Sequence, residues 1–336
     1  MKVLLFDTTT AFLTPGGKTT HALKLQQEIA KLGVDIEFAH WWDKSQEDAD
    51  VIHFLDYYPS LVLQAKAKGI KTFYSMIFDN QTSQPRWRQQ LGICKARLRK
   101  LQGVDAEQKC LPLFDKIQFM HTYDRDTAFR YFPYYLDREK TVLIPHAYDP
   151  ADMNISGDLD IKDMHFPEKY LISCANINPR KQTVKLARLA KKAKVPVVFM
   201  GSRNPLDSYY KEFQKEVDNK YVFDPGYVSK EWKDCIEQHA AGYVLLSLGE
   251  SGCIAVYEAA AYNMPLLLSN LPWAWGYEKP TDIHFCDQQD EVKALKQLQD
   301  FYAISGKMDH TPFTIHTWGD VAKMYVAQYK ELIGEK

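Results

Sequence analysis

The stretch LGESGCIAVYEAAAYNMPLLLSN, residues 248–270, changes its local rule three times in succession. It opens on Gly249 and Glu250, passes through the small polar pair Ser251-Gly252 into an alanine-rich helical pattern, and ends on the apolar run led by Pro265. Ser251 reads as the N-cap of a helix over 252–262 and Asn263 as the residue just past its end, while Pro265 forbids further helix. Apolar runs at 243–248 and 266–269 flank it. A short continuous apolar run bounded by turn residues is what a strand buried on both faces looks like. Two such runs joined by a helix imply parallel pairing through a crossover.

Outward from this unit the same alternation fills the chain. Strand-like runs fall at 2–7, 34–40, 51–56, 70–76, 117–120 and 142–145, and again at 170–174, 195–200, 221–223, 243–248, 266–269 and 283–286. Helical patterns lie between them at 18–32, 60–68, 87–102 and 125–136, then at 182–194, 208–217, 230–240, 252–262 and 290–302, with a last helix at 319–333. Gly33 sits where the first helix should close. The polar connector at 149–167 interrupts this rhythm once. The expectation is an α/β protein of two tandem Rossmann-like units, each a doubly wound parallel sheet: residues 1–160, joined by the terminal helix at about 317–336, and residues 161–316. Tandem units of this kind hold ligands in a cleft at the carboxyl ends of their strands.

Composition removes several classes. The 336 residues carry a net charge of −1, which leaves no electrostatic footprint for nucleic acid. No apolar run is long enough for a bilayer span, and Asp7 interrupts the first apolar residues too early for a signal peptide. Six scattered cysteines without a C-x-x-C pair fit reduced thiols and a cytoplasmic location, where the sequons at Asn80 and Asn154 carry no meaning. Walker, G-x-G-x-x-G and G-x-S-x-G motifs do not occur.

The residues around the 252–262 helix can do specific chemistry. Its first N–H groups, at Gly252, Cys253 and Ile254, face an end that favours anions. Glu250 lies just before the helix, and Glu258 lies on the order of 10 Å further along it, roughly the span from sugar ring to ribose in a nucleotide-sugar. A Glu, seven residues and a second Glu, opening an Ala-rich helix before a Pro-led strand, resembles the signature of retaining GT-B glycosyltransferases of family 4. Other segments add to the likeness. Asn178-Pro179-Arg180-Lys181 follows a strand and opens a helix, Gly201-Ser202 ends the next strand, and Gly226-Tyr227-Val228 is similar to the family's base-contacting stretch. Pro15-Gly16-Gly17-Lys18 resembles its Gly-rich turn after the first strand, and Asp50 to His53 and Trp318 to Tyr329 extend the resemblance over nearly the whole chain.

The resemblance implies transfer of a sugar from a nucleoside-diphosphate donor to a glycan, lipid-linked or small acceptor, with retention and without a metal or cofactor. Arg180 and Lys181 would meet the diphosphate, Glu250 the donor sugar and Glu258 the ribose. Gly16, Gly17, Gly201, Ser202, Tyr227, Val228 and residues 251–254 would line the donor. Two departures matter: Ala175 stands where relatives often carry Arg, and Phe78-Asp79 where they commonly carry His-Asp. Asp79 is left as the candidate base, and a catalytically silent sugar-nucleotide or glycan-binding scaffold, or an epimerase or phosphorylase of similar build, stands as the alternative. The Asp-x-Asp triplets at 48, 124 and 158 read as chance copies rather than metal sites. His21, His53, His121 and His146 lack ligand spacing and read as structural. Residues 86–100 carry six cations and no acid. That segment is either a solvated helix face or a peripheral contact with the inner face of a membrane.

Overall fold

The computed structural model describes residues 1–9, 16–106, 108–149, 159–277 and 282–335, with nothing said of the side chains of Asp79 and Asn80. Pro15, Asn154 and Asp158, all used in the sequence reading, lie outside the described residues. The described chain forms two compact units, Met1–Ala147 with His316–Lys336, and Tyr148–Ile315. No described helix is long and apolar enough to cross a membrane.

The first unit is built on β1 (Lys2–Phe6), β2 (Asp35–Phe38), β3 (Val51–Phe54), β4 (Lys71–Ser75), β5 (Lys116–Phe119) and β6 (Thr141–Leu143). They pair in the order β2-β1-β3-β4-β5-β6, every pair parallel. The second holds β7 (Leu171–Cys174), β8 (Val197–Met200), β9 (Val222–Phe223), β10 (Gly242–Leu245), β11 (Leu266–Ser269) and β12 (Ile283–Cys286). These also pair parallel, in the order β12-β11-β10-β7-β8-β9. All four residues of β3, β7, β8, β10 and β11 are buried, which is why those strands read as apolar runs broken only by His53, Ser173 and Ser269. In each sheet the strand order reverses beside the unit's first strand, between β1 and β3 and between β7 and β10. Such switch points leave a crevice at the carboxyl ends where ligands bind.

Helices α1 (Gly17–Lys31), α2 (Pro59–Ala67), α3 (Asp79–Thr82), α4 (Arg86–Leu101) and α5 (Thr122–Tyr131) belong to the first unit. So does α11 (Trp318–Ile333), which starts on a capping box between Thr317 and Asp320 and buries Trp318, Tyr325 and Tyr329. The Tyr329 hydroxyl and Nδ1 of His53 lie 2.7 Å apart, as do His53 Nε2 and Ser75 Oγ. Burial pushes the His53 imidazole well below its usual range, so it stays neutral as a hydrogen-bonded core residue. The second unit holds α6 (Thr183–Ala193), α7 (Ser208–Gln214), α8 (Lys230–His239), α9 (Ile254–Ala261) and α10 (Glu291–Ile304).

Several helix limits differ from the sequence reading, with α5 starting at Thr122, α7 ending at Gln214 and the short α3 unexpected, and two of the differences have a plain backbone cause. Helix α5 ends at Tyr131 instead of 136, because Phe132 precedes Pro133 and is pushed out of helical geometry. Helix α9 starts at Ile254 on an extended Cys253, because Gly252 takes a left-handed turn at φ +73 that removes Ser251 from the cap position. At its other end Asn263 is left-handed, as expected, and its N–H donates to the Ala260 carbonyl at 2.9 Å.

Candidate active site

Arg180 and Lys181 come from the loop between β7 and α6, and Glu250 from the loop between β10 and α9. Because β7 and β10 are paired neighbours, the two loops leave the sheet side by side at the second unit's switch point. They are fastened together: Leu248 N–H donates to the Arg180 carbonyl at 2.9 Å, and the Arg180 guanidinium donates to the Gly249 carbonyl at 2.7 Å. Lys181 Nζ then lies 2.7 Å from one oxygen of Glu250, and Arg180 Nη1 3.2 Å from the other.

The Glu250 side chain is only 6% exposed. Burial on its own would push this carboxyl up, but the adjacent Lys181 and Arg180 cations outweigh that and hold it below the usual carboxylate range. Burial likewise works against the Lys181 ammonium, and the opposing fields of Cys253 and Glu250 raise it above its ordinary value. All three groups therefore stay charged, two cations to one carboxylate, and the surplus positive charge lies beside the N-terminal end of α9. The combination favours an anion. The Lys181 ammonium is 4.0 Å from Cys253 Sγ, and the backbone N–H of Cys253 already serves the Tyr277 hydroxyl.

Glu258, further along α9, is engaged from α8. It forms an ion pair with Lys233, and the Tyr148 hydroxyl donates to the same oxygen at 3.4 Å. Lys233 is shared with the fully buried Glu237, at 3.1 Å. Burial, helped by Glu258 and opposed by Lys233, pushes Glu237 up to about 7, and the Cys174 thiol donates to it at 3.2 Å. Lys307 donates to the carbonyls of Glu237 and Tyr262 at 2.7 and 2.9 Å, and burial lowers its pKa to about 7. Of this set, sequence reasoning found only Glu258. Lys233 and Glu237 stand four apart on one helix, a signal of a pair but not of its third partner.

Gly201 and Ser202 lie against the loop that carries Arg180. A Cβ on Gly201 would meet the Ala175 carbonyl oxygen at 2.1 Å, so only glycine allows the β8 loop to approach there. The Ser202 hydroxyl donates to Asn176 at 2.8 Å. Tyr227 is 96% exposed beside the left-handed Gly226, and Val228 is half-buried. Arg203, which the sequence reading passed over, reaches Asp224 at 2.9 Å beneath that turn.

In the first unit Gly16 and Gly17 are exposed at the start of α1. The following Lys18 reaches back to the switch point, with Nζ 2.8 Å from Asp7 and 2.6 Å from Asp56, neither of which the sequence reading assigns to a site. Asp56 also accepts from Thr8 N–H at 2.8 Å. Burial would raise the Asp56 carboxyl, but Lys18 and Thr8 bring it down to about 2. The side chain of Asp79 lies outside the described set. Its neighbour Phe78 is core, edge-on to Tyr131 at a centroid distance of 5.4 Å. His121 caps α5, accepting from Tyr123 N–H at 3.4 Å, and burial lowers it to about 4.

No protein-family model and no curated protein matches the chain. Solved structures do. Sucrose-phosphate synthase from Thermosynechococcus elongatus superposes with a TM-score of 0.67 at 12% identity, over 99% of this chain and 94% of that one. A trehalose-6-phosphate synthase gives 0.69 at 12% identity, over 98% and 99% of the two chains. Anabaena HepE, solved in complex with UDP and glucose, gives 0.63 at 11% identity, over 99% and 100%. These likenesses define the class: the chain has the GT-B fold, two Rossmann-like α/β units in tandem.

Proposed function

We propose that this protein is a nucleotide-sugar-dependent glycosyltransferase. The observation that carries this reading is the buried Glu250 held between Lys181 at 2.7 Å and Arg180 at 3.2 Å, at the switch point of the second sheet. A departing nucleoside diphosphate gains negative charge as the glycosidic bond breaks. Pre-set cations in a water-poor site stabilise that change without reorganising. Lys181 and Arg180 take this role. Glu250 keeps them charged and aligned and offers its remaining lone pairs to donor sugar hydroxyls, while Glu258 accepts from the ribose in competition with Lys233. The same-fold structure holding UDP and glucose supports a uridine donor as the first to try.

The reaction we infer is retaining and needs no metal. A phosphate oxygen of the leaving group takes the acceptor proton, which makes an enzymic base dispensable, and Asp79 is the residue to replace if one acts. A glycan, lipid-linked or small hydroxyl acceptor would be taken at the first unit, where Asp7 and Asp56 present carboxylates. The test is incubation of the pure protein with a panel of nucleotide-sugars, with nucleotide release and sugar transfer followed by mass spectrometry. Turnover that falls with Lys181→Ala supports the proposal. Tight donor binding without turnover of any donor points to a silent scaffold, and free sugar phosphate or an epimerised donor to a phosphorylase or an epimerase.

A further inference from the structure

Helix α4 carries a second pattern, on a face that the catalytic reading does not use. Only Gln89 and Ile93 of its residues are buried. Gly92 fixes which way the helix faces: a Cβ there would meet the Tyr131 ring at 2.7 Å, so the glycine lets α4 lie close on α5. At 3.6 residues per turn, Trp87, Leu91, Cys94, Leu98 and Leu101 form one straight stripe within about 40° either side of a line, on the face opposite that contact. They are exposed in the full chain, Trp87 by 59%, Leu91 by 51%, Leu98 by 52% and Leu101 by 84%, and Cys94 is the one exposed cysteine.

Cations border this stripe on both sides. Arg88, Lys95 and Arg99 lie about 80–120° to one side of it and Arg86 and Arg97 about as far to the other. The sixth, Lys100, packs its ammonium over the Tyr134 ring at 3.4 Å. Helix α4 carries no acid, and the following Asp105 is engaged by Lys109 at 3.1 Å and by the Tyr135 hydroxyl. The geometry points to an anionic lipid leaflet as the occupant of this face. The helix would lie in the plane of the interface, with the stripe sunk among acyl chains and the flanking arginines and lysines reaching up to the headgroups on either side. Charge decides between occupants. A second copy of the helix would bring another six cations against these, whereas an anionic surface complements both flanks at once.

This inference is independent of the transferase reading, since it concerns another face and another measurement. Cys94 lies in the stripe and the other five cysteines are buried, so an environment-sensitive fluorophore on Cys94 reports insertion directly. The labelled full chain is mixed with phosphatidylcholine vesicles with and without phosphatidylglycerol, and flotation is measured on unlabelled protein in parallel. The expected result is a blue shift and flotation only with phosphatidylglycerol. Each basic residue near an anionic leaflet strengthens partitioning about fivefold, so Arg88→Glu with Lys95→Glu and Arg99→Glu abolishes it. Leu91→Ser with Leu98→Ser weakens it by about tenfold or more while leaving the melting temperature near that of the parent. Flotation unaffected by the serine pair would reduce the face to a charged surface and overturn insertion. Equal binding to neutral vesicles, binding of single-stranded RNA without binding of vesicles, or a stripe-dependent dimer that ignores lipid would each overturn it too.

Discussion

At the switch point of the first sheet one lysine, Lys18, lies between two aspartates, Asp7 and Asp56; at that of the second one glutamate, Glu250, lies between a lysine and an arginine. The topological position is the same and the charge ratio is inverted. The surroundings differ as well. Asp56 is 29% exposed and owes its low pKa partly to Thr8, whereas Glu250 is 6% exposed and depends on its two cations alone among charged neighbours. A surplus of carboxylate in a half-wet crevice suits hydroxyl donors. A surplus of cation in a dry one suits a diphosphate. On the proposed reading this contrast divides the labour between the two units, and each variant below tests one side of it.

The largest effect is expected from Lys181→Ala, which should lower kcat/KM by on the order of 10²–10³, the loss typical of a removed transition-state charge partner. A loss under about threefold would place the diphosphate elsewhere and break the comparison. Glu250→Gln should follow. It leaves Lys181 buried without a counter-charge and should destabilise the second unit by about 3 kcal/mol, measured by denaturant unfolding, and cut kcat strongly. Glu258→Gln removes a contact made equally in ground and transition states, so donor KM should rise about tenfold with kcat nearly unchanged. If both glutamate variants gave the same kinetic profile, their division of roles would be wrong.

Asp56→Asn sharpens the comparison from the other side. The folded pKa of Asp56 is depressed, so its contribution is present above the unfolded carboxylate range and is lost as pH falls from about 4 to about 2. Because the group is partly solvated, its removal should cost about 1 kcal/mol or less at neutral pH, and the variant should lose less stability than the parent on acidification through that window. The smallest effect belongs to EDTA. Turnover should stay within about twofold, because fixed cations meet the diphosphate. Loss on chelation with recovery on Mn²⁺ would assign that charge to a metal.

The two sides were not equally legible in the sequence. The strands were plain because parallel strands buried on both faces must be apolar throughout, as Leu266 to Leu268 and Val197 to Phe199 are. Arg180, Lys181 and Glu250 could be proposed together because each adjoins a strand end in a recognisable segment. Lys18 was read only as the end of a glycine-rich turn, since its partners come from the ends of β1 and β3 and no local spacing announces them. Lys233 was hidden for the same reason, 25 residues before Glu258 and on another helix. At Pro133 and at Ser251 a single backbone preference, the proline's on Phe132 and the left-handed Gly252's, overrides the local helical pattern. The stripe on α4 became meaningful only when the structure showed which side of the helix is buried.

The order of synthesis matters for α11. Its buried Trp318, against His21, and Tyr325 and Tyr329, against His53, complete the core of the first unit, yet they are translated after the whole of the second unit. At typical elongation rates, roughly 10–40 s separate the appearance of Ala147 from that of Ile333. Before that interval ends the second unit has all of its strands and can close, while the first has waited throughout with the aromatic pocket around His53 open. A nascent chain stalled before residue 318 should therefore expose that pocket to chaperones while already holding a finished second unit.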